Sequence, residues 1–582
     1  MKTAKMSPSV VQKMHSYWPA LISCSLFLLL AILLIPYPGL QEDEVLFGPP
    51  IFHPIWNDHV TIGHLIIPRM LMSYLGATKS WLFFLIFKFW KPSPYAVRVP
   101  AAMVYALTIW IFYSILQMIH SWRAAAVGAL LLATDPVYVL AGGFGWCNLQ
   151  NVFMLASIGA FLMFYKQHSR PWLACAAFFA GLWIWDKAVG LWMLSGLVLA
   201  VAILFPRETW RRLNGTNVVV AMVAFCLGAL LLISYNIQNH YPTLRSNAHF
   251  STVGLSAEVE VLRTTANGSA WLGILASEPG PQTIRTPHTS IERWSAALHD
   301  YAGEHRSDYL PYVFGGSILL LPLLVAWRRY AAVRTLAFSL MVMSAAWLQM
   351  AFTEGAGTGG HHPALMWPFP HLFIAVAFAE VSLRWKAAGG SLLAGVIPVL
   401  MVSNMLTVNQ YLYQLARFGA ARGWSDAILT LSNELPDFHA AQIFIPDWGI
   451  INPLTTLSRG RLPVRWEGDP FSSDSPSPAA ARDALEAFAT GNSIWVTHTA
   501  ANEMIAGANA RLDKMAAADG YHKIELGQVS DSNQRTIFEV FRIVPGSGVV
   551  LHAARKTQKA GPYGPASLTS AHLMTQATFC AL

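Results

Sequence analysis

The chain holds 582 residues, 54% hydrophobic and 12% charged, where a typical soluble domain carries about 25% charged residues. Its mean hydropathy of +0.42 leaves too little polar surface to dissolve it as one globule. That excludes an ordinary cytosolic enzyme, a disordered chain and, with five cysteines and no CxxC spacing, a disulfide scaffold. The net charge of +8 is uneven: residues 1–411 hold 25 of the 39 Lys and Arg and 16 of the 31 Asp and Glu, and residues 412–582 are nearly balanced. Excess base in the apolar part points to membrane topology rather than to nucleic acid.

Apolar stretches of roughly 17–25 residues read as membrane-spanning helices. About eleven occur, near 17–36, 97–119, 124–141, 150–165, 172–188, 190–205, 218–235, 311–327, 335–352, 364–382 and 390–410. With the N-terminus in the cytoplasm, alternation gathers the basic residues on one side. These are Lys2, Lys5, Lys13, Arg123, Lys166, Arg170, Arg207, Arg211, Arg212, Arg328, Arg329, Arg334, Arg384 and Lys386, against Glu208 and Glu380 alone. This is a positive-inside pattern. It predicts a membrane protein whose C-terminal domain lies outside the cytoplasm; a bacterial inner membrane is the expected location, with that domain periplasmic or extracellular, although a eukaryotic endoplasmic reticulum membrane would leave similar spans.

Between the first two spans, residues 37–96 form an external loop. Its early part is acidic and aromatic (Gln41-Glu42-Asp43-Glu44-Val45-Leu46-Phe47-Gly48). Its later part, Ile62 to Trp90, is apolar with Arg69, Lys79 and Lys88 interspersed, and predicts two amphipathic helices lying in the interface. A second external loop covers 236–310. Residues 412–545 predict a soluble α/β module. Strands are expected at 442–446, 493–497 and 536–543, and helices at 483–489 and 502–518. Residues 546–582 lack periodicity and read as a loosely ordered tail. The expected fold is thus a polytopic α-helical membrane domain over 1–411 followed by a C-terminal extracytoplasmic α/β domain.

Charges near a bilayer are expensive, so their placement is informative. Glu42, Asp43 and Glu44 are either a solvated turn or a general base, since a carboxylate against a hydroxyl takes its proton as a new bond forms. Asp186-Lys187 ends the fifth span. The lysine either pairs with Asp186 and snorkels or holds a phosphate as a point charge. Arg98 opens the second span against the positive-inside bias, as a headgroup contact or as a second phosphate ligand. In Thr353-Glu354-Gly355-Ala356-Gly357-Thr358-Gly359-Gly360-His361-His362-Pro363, the glycines let backbone approach a ligand. His361 and His362 then bond sugar hydroxyls, stabilise phosphate or ligate a divalent metal ion. No HExxH-type spacing supports the metal. His53, Asp58 and His59 in the first loop are the candidates to complete such a site. Trp448 is either a sugar-stacking ring or a packed turn aromatic.

These motifs together resemble the GT-C glycosyltransferases, in particular the protein O-mannosyltransferases and the lipid A aminoarabinose transferases, over roughly residues 17–410. Asp43-Glu44 resembles the mannosyltransferases' Asp-Glu motif. Arg98-Val99-Pro100 resembles the opening of the second span, Ala133-Thr134-Asp135-Pro136 the end of the third, and Gly181 to Gly190 the stretch whose lysine faces the carrier phosphate, matching Lys187. The later His-Pro-Pro motif is not matched, with His53-Pro54 its nearest remnant, and His361-His362 stand where many relatives have Arg-Tyr.

The resemblance implies transfer of a sugar from a polyprenyl-phosphate donor to an extracytoplasmic hydroxyl, with inversion. Asp43 would be the base, Glu44 would position the acceptor, and Lys187 and Arg98 would hold the carrier phosphate. His361, His362 and Asp58 would serve sugar or acceptor. Expected partners are the lipid-linked donor, membrane lipids and a glycan, lipid or protein acceptor, with no nucleic acid. A transporter or lipid flippase would use the same charges as a path, but the charges cluster on one face and no repeated halves are visible. A scaffold displaying the C-terminal domain would need none of them.

Overall fold

The computed structural model describes residues 17–145, 149–212, 214–280, 284–354 and 359–546. Lys2, Lys5, Lys13, Gly355–Thr358 and the tail from 547 lie outside the described residues.

A helix, or a bent pair of helices, occupies every apolar stretch. The first is α1 (Trp18–Leu34). A loop then carries a three-stranded antiparallel sheet, β1 (Asp58–Ile62), β2 (Leu65–Met72) and β3 (Leu75–Gly76), and helix α2 (Thr78–Phe89). There follow α3 (Pro94–Ile119), α4 (Trp122–Thr134), α5 (Pro136–Phe144), α6 (Gln150–Gln167), α7 (Arg170–Asp186), α8 (Gly190–Leu204), α9 (Gly215–Gly228) and α10 (Leu230–Gln238). The connecting region holds α11 (Leu255–Ala266) and α12 (Ser290–Ala302). The helical part closes with α13 (Leu310–Ile318), α14 (Leu321–Ala326), α15 (Tyr330–Ala351), α16 (Phe369–Arg384) and α17 (Lys386–Phe418). By length and composition, four helices among the described residues suffice to cross a membrane, and six if the α4–α5 and α9–α10 pairs each count as one.

The chain's own punctuation sets these boundaries. Ser93 caps α3 by accepting from the Ala96 amide, and Ser121 caps α4 through Ala124. The 64° bend between α4 and α5 falls at Asp135-Pro136, because a residue before proline is pushed out of the helical region. Asp135 is extended there and caps α5 through the Tyr138 amide. α7 and α9 cross closely because Gly181 and Gly228 face each other. A Cβ on either would sit 2.3 or 2.2 Å from the opposing carbonyl oxygen of Phe225 or Phe178, the small-residue contact typical of membrane helices.

The loop after α1 departs from the two interfacial helices expected. Within Ile62–Trp90 only Thr78–Phe89 is helical. The preceding residues form a hairpin that turns at Gly63 (φ +62°), with Ile62 paired to Leu65. Pro68, which lacks an N–H for a ladder, pairs with His59 beside a register shift at Asp58, where a bulge accommodates it.

The helical part and the C-terminal part share α17, which runs past residue 411. Beyond it lie α18 (Ala427–Glu434), β4 (Gln442–Ile445), α19 (Ile451–Leu457), β5 (Val464–Trp466), α20 (Pro478–Phe488), β6 (Ser493–His498), α21 (Ala508–Ala518), β7 (Tyr521–Ser530) and β8 (Thr536–Pro545). The five strands are ordered β5-β4-β6-β8-β7. β4 is parallel to β5 and β6, while β8 is antiparallel to β6 and β7. The α/β character and the three expected strands are present. β5 is short, and β7 is an edge strand largely open to solvent, so neither carries a clear buried face in sequence. Trp448 is buried in this domain's core with Phe444, Phe471 and Trp495 and presents no ring for a sugar.

Candidate active site

The acidic trio splits into three environments. Asp43 is exposed. Glu44 and Arg98 are both fully buried (0% exposed) and joined by two bonds, Arg98 Nε to Glu44 Oε1 (2.6 Å) and Nη2 to Oε2 (2.9 Å). The remaining Arg98 donors go to the carbonyls of Ile35 (2.8 Å), Pro38 (2.8 Å) and Gly39 (2.6 Å). All five N–H groups are thereby used. In this structure the donors of Arg98 thus go to Glu44 and backbone carbonyls, where the resemblance implied a carrier phosphate and an acceptor. The pair fastens the loop to the top of α3 and fixes the backbone on which Asp43 stands.

Glu42 is buried on the opposite side and accepts from the Asn452 amide of α19 (3.1 Å). The C-terminal domain therefore rests directly on the Asp43 loop, a contact reinforced by Gly39 N–H donating to the Trp424 carbonyl (2.6 Å). Burial, with Asp43's charge adding to it, pushes the Glu42 carboxyl up to about 8. A carboxyl raised in the folded state is stabilising in its protonated form below its unfolded value, and that stability is lost as pH rises through the folded value. The apparent melting temperature should therefore fall between about pH 5 and 8, and Glu42→Gln should flatten that slope. Thermal unfolding across this range checks it.

Lys187 lies at the break between α7 and α8, in extended backbone and only 5% exposed. Three contacts hold this corner. Leu75 of β3 pairs with Lys187, and the Ala188 amide donates to the Tyr74 carbonyl (2.8 Å). Gly190 opens α8 against the Trp183 indole, where a Cβ would come within 2.5 Å. Asp186 is engaged on another side, accepting from the Thr78 hydroxyl and from the Leu149 amide (3.1 Å). Next to Thr78, Lys79 donates to the Glu44 carbonyl (2.9 Å) and the Gly145 carbonyl (3.1 Å). Two consecutive residues in the first turn of α2 thus tie the Asp43 loop to the Lys187 corner. Sequence reading passed over Thr78 and Lys79. The available signal was a lysine inside an apolar run, which is expensive without a use.

His361 and His362 pack against each other with ring centroids 4.1 Å apart and planes tilted by 48°, and His362 meets Trp192 edge-on. Burial and the nearby Lys187 charge hold His361 neutral, with its pKa pushed down to about 3. The structure therefore brings His361 within electrostatic reach of Lys187, 174 positions earlier in the chain. Asp58 belongs elsewhere: Arg69 grips both its oxygens (2.6 and 2.7 Å) and also donates to Gln238 (2.6 Å). His59 turns to the Asn57 carbonyl (2.9 Å), and His53 sits against the Gly460 carbonyl (3.1 Å). Asp58, His53 and His59 do not complete a metal site with His361 and His362. Among the described residues, no group of three or more His, Cys, Asp or Glu is placed to hold a metal ion. The donor set does not fit a divalent cation, since Glu44 and Asp58 each serve an arginine and His361 neighbours an ammonium.

No protein-family profile matches the sequence, and no curated protein sequence matches it. Solved structures do. ArnT from Cupriavidus metallidurans bound to undecaprenyl phosphate superposes with a TM-score of 0.54 at 12% identity, covering 89% of this chain and 97% of that one. The apo form of the same protein gives 0.54 and 12%, over 92% and 98%. The Archaeoglobus fulgidus oligosaccharyltransferase in complex with Zn and sulfate gives 0.50 at 13% identity, over 88% of this chain and 73% of that one. At such identities the likeness concerns the fold, and this chain has the GT-C fold, built from apolar membrane helices with a mixed α/β sheet at its C-terminal end.

Proposed function

We propose that the chain is an integral membrane glycosyltransferase that moves a sugar from a polyprenyl-phosphate carrier to an acceptor hydroxyl on the side of the sheet domain. The observation that carries this reading is the tie through Thr78 and Lys79, which sets an exposed carboxylate loop and a buried lysine on one short helix turn. The reading is supported by the fold shared with an ArnT that was crystallised with undecaprenyl phosphate. The further topology is part of the same proposal: eleven spans, a cytoplasmic N-terminus, a bacterial inner membrane and an extracytoplasmic sheet domain.

The chemistry follows from the placements. The acceptor hydroxyl gives its proton to an Asp43 carboxylate oxygen as its own oxygen bonds to the anomeric carbon. The bond from that carbon to the carrier phosphate breaks on the opposite face, so the configuration inverts. Negative charge grows on the departing phosphate, and a lysine held in a water-poor corner stabilises it. Neutral His361 beside it offers a ring hydrogen bond to the sugar or phosphate without adding charge. His362 orients that ring.

Binding of a polyprenyl phosphate to the detergent-purified protein tests the donor site. Lys187→Ala is expected to weaken it about 10–100-fold, the worth of a hydrogen bond to a charged group. Unchanged affinity in a monodisperse variant would remove Lys187 from the site. Absence of saturable wild-type binding across several carrier lengths would overturn the glycosyltransferase reading.

A further inference from the structure

Helix α12 is amphipathic in an unusual sense: polar residues face inward and apolar ones outward. Glu292 and Ser295 are buried, whereas Trp294 is 78% and Tyr301 92% exposed. Three edges follow from helical spacing of about 100° per residue. The inner edge is bolted to α17. Asn409 donates to the Ser295 carbonyl (3.1 Å), and Arg285 joins Glu292 (2.7 Å) to the Ala416 carbonyl (2.9 Å). A second edge carries the charges Arg293 and Asp300, both exposed. The third carries Ile291, Trp294, Leu298 and Tyr301, spaced at helical repeats and all exposed.

This third edge faces a groove of about 490 Å³ whose other walls are Leu33 in the last turn of α1 and Leu412 of α17. α17 has 33 residues, roughly 50 Å of helix, against a hydrocarbon core of about 30 Å. Its C-terminal turns, where α12 is attached, therefore stand at or beyond the bilayer surface. On α1 the groove's Leu33 lies one turn from Leu29 and beside Ile32, both exposed apolar side chains, on a helix of membrane-spanning character. An aromatic edge beside a charged edge suits a helix lying in the plane where hydrocarbon gives way to headgroups.

We infer that α12 is an interfacial membrane helix and that its groove with α1 and α17 holds the acyl chain of a phospholipid from the leaflet on the sheet-domain side. The occupant is a phospholipid because the groove is apolar, carries Trp294 and Tyr301, and adjoins the exposed apolar side chains Leu29 and Ile32 of α1, while the residues assigned to the carrier phosphate lie on α7, α8 and the His361 loop. This inference needs the chain to be a membrane protein and does not depend on the transfer chemistry.

The test uses the full chain in phospholipid nanodiscs, with p-benzoylphenylalanine replacing Trp294, Leu298 or, as the water-edge control, Asp300. After irradiation, mass spectrometry should find phospholipid adducts at 294 and 298 at least about tenfold more abundant than at 300. Vesicles with brominated acyl chains should also quench wild-type tryptophan fluorescence more than that of a folded Trp294→Phe variant. Equal adducts at all three positions, or none in monodisperse protein, would overturn the inference. So would adducts formed only with a polyprenyl phosphate doped into the discs, which would give the groove to the donor instead.

Discussion

Asp43→Asn is expected to lower turnover by about 10²–10⁴-fold, the usual worth of a positioned general base, and to leave the protein folded. Both halves come from the same geometry. Asp43 is exposed and stands between two buried acids that do the structural work. Its substitution leaves the buried contacts of Glu42 and Glu44 in place. Because asparagine keeps the shape but takes up no proton, affinity for the polyprenyl phosphate should be retained. Turnover and carrier binding measured on the same preparation separate the two. Turnover within a few-fold of wild type would show that Asp43 is not the base, and a joint collapse of turnover, binding and stability would show instead that the loop had unfolded.

Arg98→Ala should produce that second pattern. It strands a fully buried Glu44 carboxylate and three carbonyls that Arg98 now satisfies. Breaking a buried pair by removing one partner typically costs about 3–5 kcal/mol. Arg98→Lys should recover little, because three donors on one ammonium cannot reproduce five in a planar fork. Replacing the whole pair, as Arg98→Met with Glu44→Leu, removes the stranded charge and should be less destabilising than Arg98→Ala alone. Apparent melting temperatures in detergent report the order. If Arg98→Ala melts with the wild type while losing carrier binding, Arg98 touches phosphate after all and the structural role assigned to it is wrong.

The two substitutions show where sequence reading was sufficient and where it stopped. That an acid in the trio matters was legible, since three carboxylates beside a membrane are costly. Which one faces solvent was not. Consecutive residues of a turn point in different directions, and their fates are set by Arg98, 54 positions after Glu44, and by Asn452, 410 positions after Glu42. Lys187 was legible as an ionisable residue at the end of an apolar helix. Its neighbour His361 was legible only as a candidate, because their proximity needs the loop before α16 to fold back over the α7–α8 break. The pairing of Asp58 was illegible for the converse reason: its partner Arg69 lies on the facing strand of a hairpin that the apolar run around it concealed.

While the break at Asp135-Pro136 fell inside what reads as one span, the sequence by itself determined the membrane character, the place of the apolar helices, the division at Lys187, and the α/β character of the C-terminal part. All of these rest on local composition and on short-range backbone rules, which act over a few residues and need no partner. Tertiary structure alone decided which charges are spent on holding the fold and which stand open to chemistry. It also turned Asp58–Met72 into a hairpin rather than an interfacial helix, with β3 pairing β2 on one side and bridging Lys187 on the other. A buried charge is tolerable only with a partner, and the partners here come from segments that meet only once the helices are packed.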